Sequence, residues 1–271
     1  MTNCELCGGR GYLFRRSIGA TCEAVRCECL KHCECDENHQ VLRAENGRDV
    51  YFRCGSCWST VNTIRDLNLA DIPNKLLLAE VDTLEAQNQE GSQHLVAFAR
   101  AWFKQFEWIE AREGFTLSGP TGTGKSWILA AMVRGMVEQR QIKARYVDIR
   151  AMYRRLRSAD NIAQKIEEIC AVPFLALDEL DVPESDWETT TICEILESRW
   201  ATDQPTLVAG ELELADLVDV LGHRGPRIRG RLTQVSPEFR CSGPDQRVEA
   251  TKSIGGTPSL RSPKNPNQSE L

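Results

Sequence analysis

The chain has 271 residues, 41% hydrophobic and 27% charged side chains, and a formal net charge of −6. Such a composition describes a globular core domain with or without a smaller module, and the negative balance argues against a whole-surface grip on nucleic acid. The longest apolar runs, such as Trp127–Met132, fall far short of the roughly 20 residues that span a bilayer, and Met1–Glu5 shows no basic, then apolar, secretion signal; a cytoplasmic protein without membrane contact is expected.

Composition divides the chain into four segments. Residues 1–60 are rich in Cys, Gly and Arg, and residues 61–113 form a polar, helical lead-in. Residues 114–241 alternate short apolar runs with amphipathic ones, the pattern of an α/β fold with a central parallel sheet flanked by helices. Residues 242–271 are dominated by Gly, Pro, Ser, Asn, Gln and charges, and read as a short closing motif with a disordered tail.

Nine of the twelve cysteines fall within the first 57 residues. In a reducing compartment such a cluster points to metal rather than to disulfides. Cys4 and Cys7 form a C-x-x-C hook followed by glycines, and Cys27 with Cys29 returns about twenty residues later. Two such pairs place four thiolates around one tetrahedral Zn²⁺. Cys33 and Cys35 repeat the arrangement with Cys54 and Cys57. For this second set, a redox pair or free surface thiols stand as the alternative to a second zinc. Tyr51, Phe52 and Trp58 are expected to supply a small apolar core, Cys22 is left over, and His32 or His39 is available to replace a cysteine. Cys170, Cys193 and Cys241 read as small core residues.

Further along, the segment from Ala97 to Glu110 carries Trp102, Phe103, Phe106 and Trp108, a pattern expected to pack a helix on the core rather than stack on bases. Phe115-Thr116-Leu117 then reads as a strand leading into Gly119-Pro120-Thr121-Gly122-Thr123-Gly124-Lys125-Ser126, a full match to G-x-x-x-x-G-K-[ST]. In that motif the glycines let backbone N–H groups cradle phosphate oxygens of ATP, Lys125 reaches the β- and γ-phosphates, and the Ser126 hydroxyl meets Mg²⁺. Trp127–Arg140 reads as the helix whose N-terminus favours the anion. Arg140, Lys143, Arg145, Arg150, Arg154, Arg155 and Arg157 concentrate positive charge. They read equally as a stripe for single-stranded DNA and as a solvated face. Pro173–Asp178 reads as a buried strand ending in Asp178 and Glu179, the first to hold Mg²⁺ and the second to polarise the attacking water.

From about Leu69 to Arg247 the chain resembles the DnaC/DnaI/IstB branch of AAA+ ATPases. The resemblance rests on the P-loop, the acidic strand and a series of weaker signals. Leu69-Ala70-Asp71-Ile72-Pro73 is similar to the family's lead-in, and Trp187–Trp200, ending in Glu197-Ser198-Arg199-Trp200, to its helix after the acidic strand. Pro205–Ala209 follows as a strand, Asp216–Gly222 as a helix, and Ser242–Arg247 as a closing strand-end motif. Arg227-Ile228-Arg229-Gly230-Arg231-Leu232 resembles the segment that carries the arginine finger, which implies that role for Arg231, with Arg227 and Arg229 as runners-up and a solvated basic turn as the alternative. The Cys4–Cys29 layout is similar to the head on some DnaI-like loaders. One departure stands out: where the family ends a strand in Thr-Ser-Asn, this chain has Ala209-Gly210-Glu211, and a carboxylate there repels the γ-phosphate.

The resemblance implies an ATPase that loads a replicative DNA helicase, with a zinc head as the docking module and self-association on ATP. The alternatives are an IstB-like transposition regulator, a nucleotide-gated adaptor with little hydrolysis and, more distantly, a small-molecule kinase.

Overall fold

A computed structural model describes residues 4–30, 33, 35–46, 48–82, 84, 90–106 and 114–243. His32, Trp108 and the tail from 244 onward, with most of the closing motif, lie outside them. Two antiparallel hairpins come first. β1 (Tyr12–Arg16) faces β2 (Cys22–Arg26) with Tyr12 opposite Arg26. β3 (Gln40–Glu45) faces β4 (Arg48–Arg53) with Leu42 opposite Tyr51. Helix α1 (Trp58–Leu69) starts directly after Cys57 and leads through Ala70 to Pro73 into a 3₁₀ turn at Asn74–Leu76. Helix α2 (Glu90–Gln105) completes the lead-in.

The core sheet is formed by β5 (Phe115–Ser118), β6 (Ala144–Asp148), β7 (Phe174–Asp178), β8 (Thr206–Gly210) and β9 (Glu238–Arg240), all parallel, in the order β6-β7-β8-β5-β9. Every residue of β5 and β7 is buried, as expected of parallel strands covered on both faces. Their side chains alternate between two cores: Phe174 and Ala176 join one apolar cluster, Leu175 and Leu177 the other. Helix α3 (Lys125–Arg140) lies in the first cluster, buried without a break from Ile128 to Val137. Helices α4 (Ile149–Arg157), α5 (Ile162–Cys170) and α6 (Asp186–Ala201) feed the second cluster, followed by the short α7 (Leu217–Val220) and by α8 (Gly225–Val235). Caps start three of these helices: Asp148, Asn161 and Ser185 accept from the backbone N–H of Ala151, Gln164 and Glu188. Because β5 sits between β8 and β9 while the chain leaves it for the far edge strand β6, a topological switch point opens at the C-terminal end of β5.

The two hairpins relate to this core differently. Tyr12, Cys22 and Ala24 of the first share a cluster with Leu67, Ile72, Met132 and Leu117. Beneath them lies an ionic joint around Arg134 of α3, whose side chain is only 3% exposed and meets Glu80 at 2.6 Å and Glu138 at 2.9 Å. Arg10, from the first cysteine hook, shares Glu80, and the Tyr12 hydroxyl donates to Glu138. The second hairpin buries no side chain in either strand. Tyr51, expected in a small apolar core, is 62% exposed, while Trp58 serves as a platform for Arg53 at 4.9 Å.

Candidate nucleotide site and thiolate clusters

Backbone geometry builds the phosphate loop. Gly119, Gly122 and Gly124 take φ values of 128°, 78° and 93°, a region that side chains with a Cβ rarely enter. At Gly119 a Cβ would also stand 2.2 Å from the carbonyl oxygen of Cys241, just past β9, so no other residue fits. Lys125 opens α3 and folds its ammonium onto the loop, donating to the carbonyls of Gly119 and Pro120 at 2.6 Å each. Burial holds its pKa below the ordinary lysine value, against the pull of Cys241, Asp178, Glu211 and Asp181. The loop therefore presents a largely buried cation held on its own carbonyls.

Asp178 closes β7 at 3% exposure. The Tyr146 hydroxyl on neighbouring β6 donates to its Oδ2; burial, then the Asp178 charge, pushes the tyrosine pKa up, and the nearby Ser126 side chain opposes them. Ser126, Asp178 and Tyr146 thus form one group at the end of the sheet. The pairing of a hydroxyl with a carboxylate beside a phosphate loop fits a hard divalent cation that is also held by phosphates, as Mg²⁺ is. Glu179 follows at φ 62°, a left-handed backbone unusual for a residue with a long side chain and a form of strain common at functional sites. Its carboxylate is 3.8 Å from Arg150. Burial, then Asp148 and Asp178, raise its pKa above the ordinary carboxylate value.

At the end of β8, Gly210 is dictated by close packing, since a Cβ there would lie 2.1 Å from the Leu180 carbonyl oxygen. The Glu211 amide donates to Asp181 at 3.2 Å. Glu211 is exposed, and its carboxylate is among the charges that favour the Lys125 ammonium.

Arg231 lies away from this group. It stacks over Trp200 with 4.4 Å to the ring centroid and pairs with Glu197 at 3.4 Å. Arg227 shares that carboxylate at 3.2 Å. Much of the basic run is likewise engaged. Arg145 pairs with Asp71, Arg150 with Asp181 and Arg157 with Glu188, while Arg140 donates to the carbonyls of Phe103 and Lys104. A continuous stripe is therefore interrupted by carboxylates, although every member of the run except Arg145 is exposed. Trp102 and Phe106 pack on Phe115 and Phe174 at 5.1 and 5.9 Å, the core role expected of them.

The eight head cysteines assemble in the pairings read from their spacing. The sulfurs of Cys4, Cys7, Cys27 and Cys29 lie within 4.8 Å of one another, as do those of Cys33, Cys35, Cys54 and Cys57. A tetrahedral ion with 2.3 Å Zn–S bonds has sulfur–sulfur edges of about 3.8 Å. The observed Cys4–Cys27 and Cys7–Cys29 separations of 3.8 and 3.5 Å match that size. Burial pushes the Cys7 thiol up, but the Gly11 amide and the neighbouring sulfurs outweigh it and bring the pKa to about 6. Both clusters could hold zinc. His39 sits at the edge of the second, its Nδ1 3.5 Å from Cys57 and 3.9 Å from Cys35, placed to orient the thiolates.

Three residues escaped the sequence reading. Arg134 is a single polar residue in an apolar run and Tyr146 falls in a mixed one, and nothing in a sequence gives their partners. Arg199, 1% exposed, donates to the carbonyls of Cys170, Val172, Pro173 and Pro205 and so ties α6 to the starts of β7 and β8. Its family-like context, Glu197-Ser198-Arg199-Trp200, was the available signal.

The model of the IstB-like ATP binding protein family matches residues 59–225, more than half of the chain. That match begins after the cysteine head and ends before Arg231. The uncharacterised protein YqaM of Bacillus subtilis (strain 168) is 25% identical over 136 residues, covering 47% of this chain but only 44% of its own length. Among solved structures, DnaI superposes with a TM-score of 0.57 at 23% identity, over 65% of this chain and 94% of its own. The DnaC helicase loader gives 0.55 at 20%, over 62% and 99%. At such identities these structures share the fold, a five-stranded parallel sheet of AAA+ type. No described helix is long and apolar enough to cross a membrane.

Proposed function

The chain belongs to the family of IstB-like ATP binding proteins, and on that premise we propose that it is an ATP-hydrolysing helicase loader that delivers a replicative helicase to DNA. One observation carries the reading: two four-cysteine clusters are built onto a P-loop core whose fold is that of DnaI and the DnaC helicase loader. The head then selects the partner and the core supplies nucleotide-dependent assembly. This reading makes the chain cytoplasmic and allows contact with single-stranded DNA through Arg154 and Arg155.

In this mechanism the loop amides from Gly119 to Gly124 and the Lys125 ammonium hold the β- and γ-phosphates, releasing Lys125 from the Gly119 and Pro120 carbonyls. Mg²⁺, when bound, neutralises charge on those phosphates. Ser126 and Asp178 are the residues that would hold it. Glu179 accepts a proton from the attacking water, a task suited to a carboxyl whose pKa has been raised toward neutrality. Arg231 acts across a subunit boundary and must leave the Trp200–Glu197 cage to do so.

Glu211 favours a second reading, a nucleotide-gated adaptor with slow turnover, because its charge acts on Lys125 and opposes the negative charge of a γ-phosphate held by that ammonium. The family match keeps a third, an IstB-like transposition regulator. Affinity purification of the tagged full chain from its native cell separates the partners. Recovery of a hexameric replicative helicase supports the loader, and recovery of a transposase without helicase overturns it.

A further inference from the structure

Tyr146 has a role that neither motif predicts. It sits on the sheet edge at 3% exposure, and its hydroxyl donates to the Asp178 carboxylate. Its backbone N–H is held by the Ala70 carbonyl at 2.8 Å, and the adjacent Arg145 is clamped to Asp71 at 2.7 Å. The strand is thereby fixed against the lead-in, and the tyrosine ring is set before any ligand arrives. A buried hydroxyl hydrogen-bonded to a carboxylate on the neighbouring strand restricts the rotation of that carboxylate.

From this geometry we propose that Tyr146 is the positioning residue of the cation site: it fixes the Asp178 carboxylate in the orientation that receives the divalent ion. The inference rests on the nucleotide-site reading given above. With Oδ2 engaged by the tyrosine, Asp178 keeps Oδ1 for the ion or for a water bound to it. Removing a hydrogen-bond partner behind a metal ligand commonly costs 10- to 100-fold in metal affinity.

The test uses full-length Tyr146→Phe, which keeps the packed ring and removes only the hydroxyl. Binding of a fluorescent ATP analogue is titrated with free Mg²⁺, and again in EDTA. The expected result is an Mg²⁺ midpoint raised at least about tenfold, with affinity in EDTA and melting temperature close to wild type. Asp178→Asn should raise the midpoint as well, and Tyr146→Phe added to it should change little further, because both act through one carboxylate. An unchanged midpoint, or an equal loss of affinity in EDTA together with a lowered melting temperature, overturns the assignment. If Lys125→Ala also bound the analogue like wild type, the nucleotide-site reading itself would fail. A defective Lys125→Ala beside an unchanged Tyr146→Phe would remove the role of Tyr146 alone.

Discussion

Replacing Arg134 by Ala tests how firmly the first cysteine hook is built into the ATPase core. The guanidinium is 3% exposed, 2.6 Å from Glu80 and 2.9 Å from Glu138, and stacks on Phe14 of β1 at 4.3 Å. Removing one partner of a buried ionic group strands the other and costs about 3–5 kcal/mol. Glu80 is 32% exposed and can rehydrate, whereas Glu138 at 14% cannot do so freely, so the lower end, about 3 kcal/mol, is expected. At roughly 2–4 °C per kcal/mol for a domain of this size, the melting temperature should fall by about 6–12 °C. Circular dichroism gives the melting curve, and a colorimetric chelator follows metal release from the head in parallel. Zinc should leave the Cys4/Cys7/Cys27/Cys29 site faster in the variant, because Arg10 and Tyr12 lose the carboxylates that Arg134 held in place. A loss below about 1 kcal/mol, the range of an exposed pair, with metal release unaltered, would refute the joint.

Metal analysis of protein purified without chelator should give close to two zinc ions per chain, and Cys54→Ser should lower this to about one while nucleotide binding survives, because the second hairpin buries no strand side chain. Cys7→Ser should lose one zinc and also destabilise the core, since the neighbouring Tyr12 and Cys22 belong to the same cluster as α3. Glu179→Gln should bind ATP normally but hydrolyse it poorly. It should also melt higher than wild type at about pH 7: an acid with a raised folded-state pKa costs stability once ionised, a penalty absent below its ordinary value of about 4.3 and growing as pH rises through it. Calorimetry at about pH 7 and pH 3.5 checks the sign, and a lower melting temperature for the variant at the higher pH contradicts it. Arg231→Ala should leave the ATP affinity of the isolated chain unchanged and cut turnover of the assembled form by on the order of 10³; unaltered turnover in the assembly removes the finger assignment.

What the sequence disclosed follows physical range. The phosphate loop, the acidic strand and both cysteine sets were legible because each depends on residues close together or at a regular spacing, and their geometry is local. β5, α3, β7, α6 and β8 fell within two residues of their expected bounds, since buried parallel strands and the helices between them carry continuous apolar runs. β9 was missed: Glu238–Arg240 is short, polar and a strand only because β5 offers it an edge. The basic run, read equally as a stripe and as a solvated face, hid its partners for a related reason. Spacing shows where Arg145, Arg150 and Arg157 fall but not that Asp71, Asp181 and Glu188, distant in sequence, neutralise them. Tyr51 was assigned to a core that the second hairpin does not form, because four thiolates take the place of apolar burial in so small a unit. The Tyr146–Asp178–Ser126 group joins three separate elements, and no single-chain pattern announces it.

The central claim is that the thiolate head captures a replicative helicase while the P-loop core governs assembly by nucleotide. Size-exclusion chromatography with light scattering on the full chain mixed with purified helicase hexamer, with and without ATP and Mg²⁺, tests it directly beside Cys54→Ser and Lys125→Ala. The account predicts a complex for wild type, loss of helicase from the complex for Cys54→Ser, and for Lys125→Ala helicase binding without ATP-dependent growth in mass. A helicase complex that Cys54→Ser leaves intact, or no complex for wild type under either condition, would contradict it.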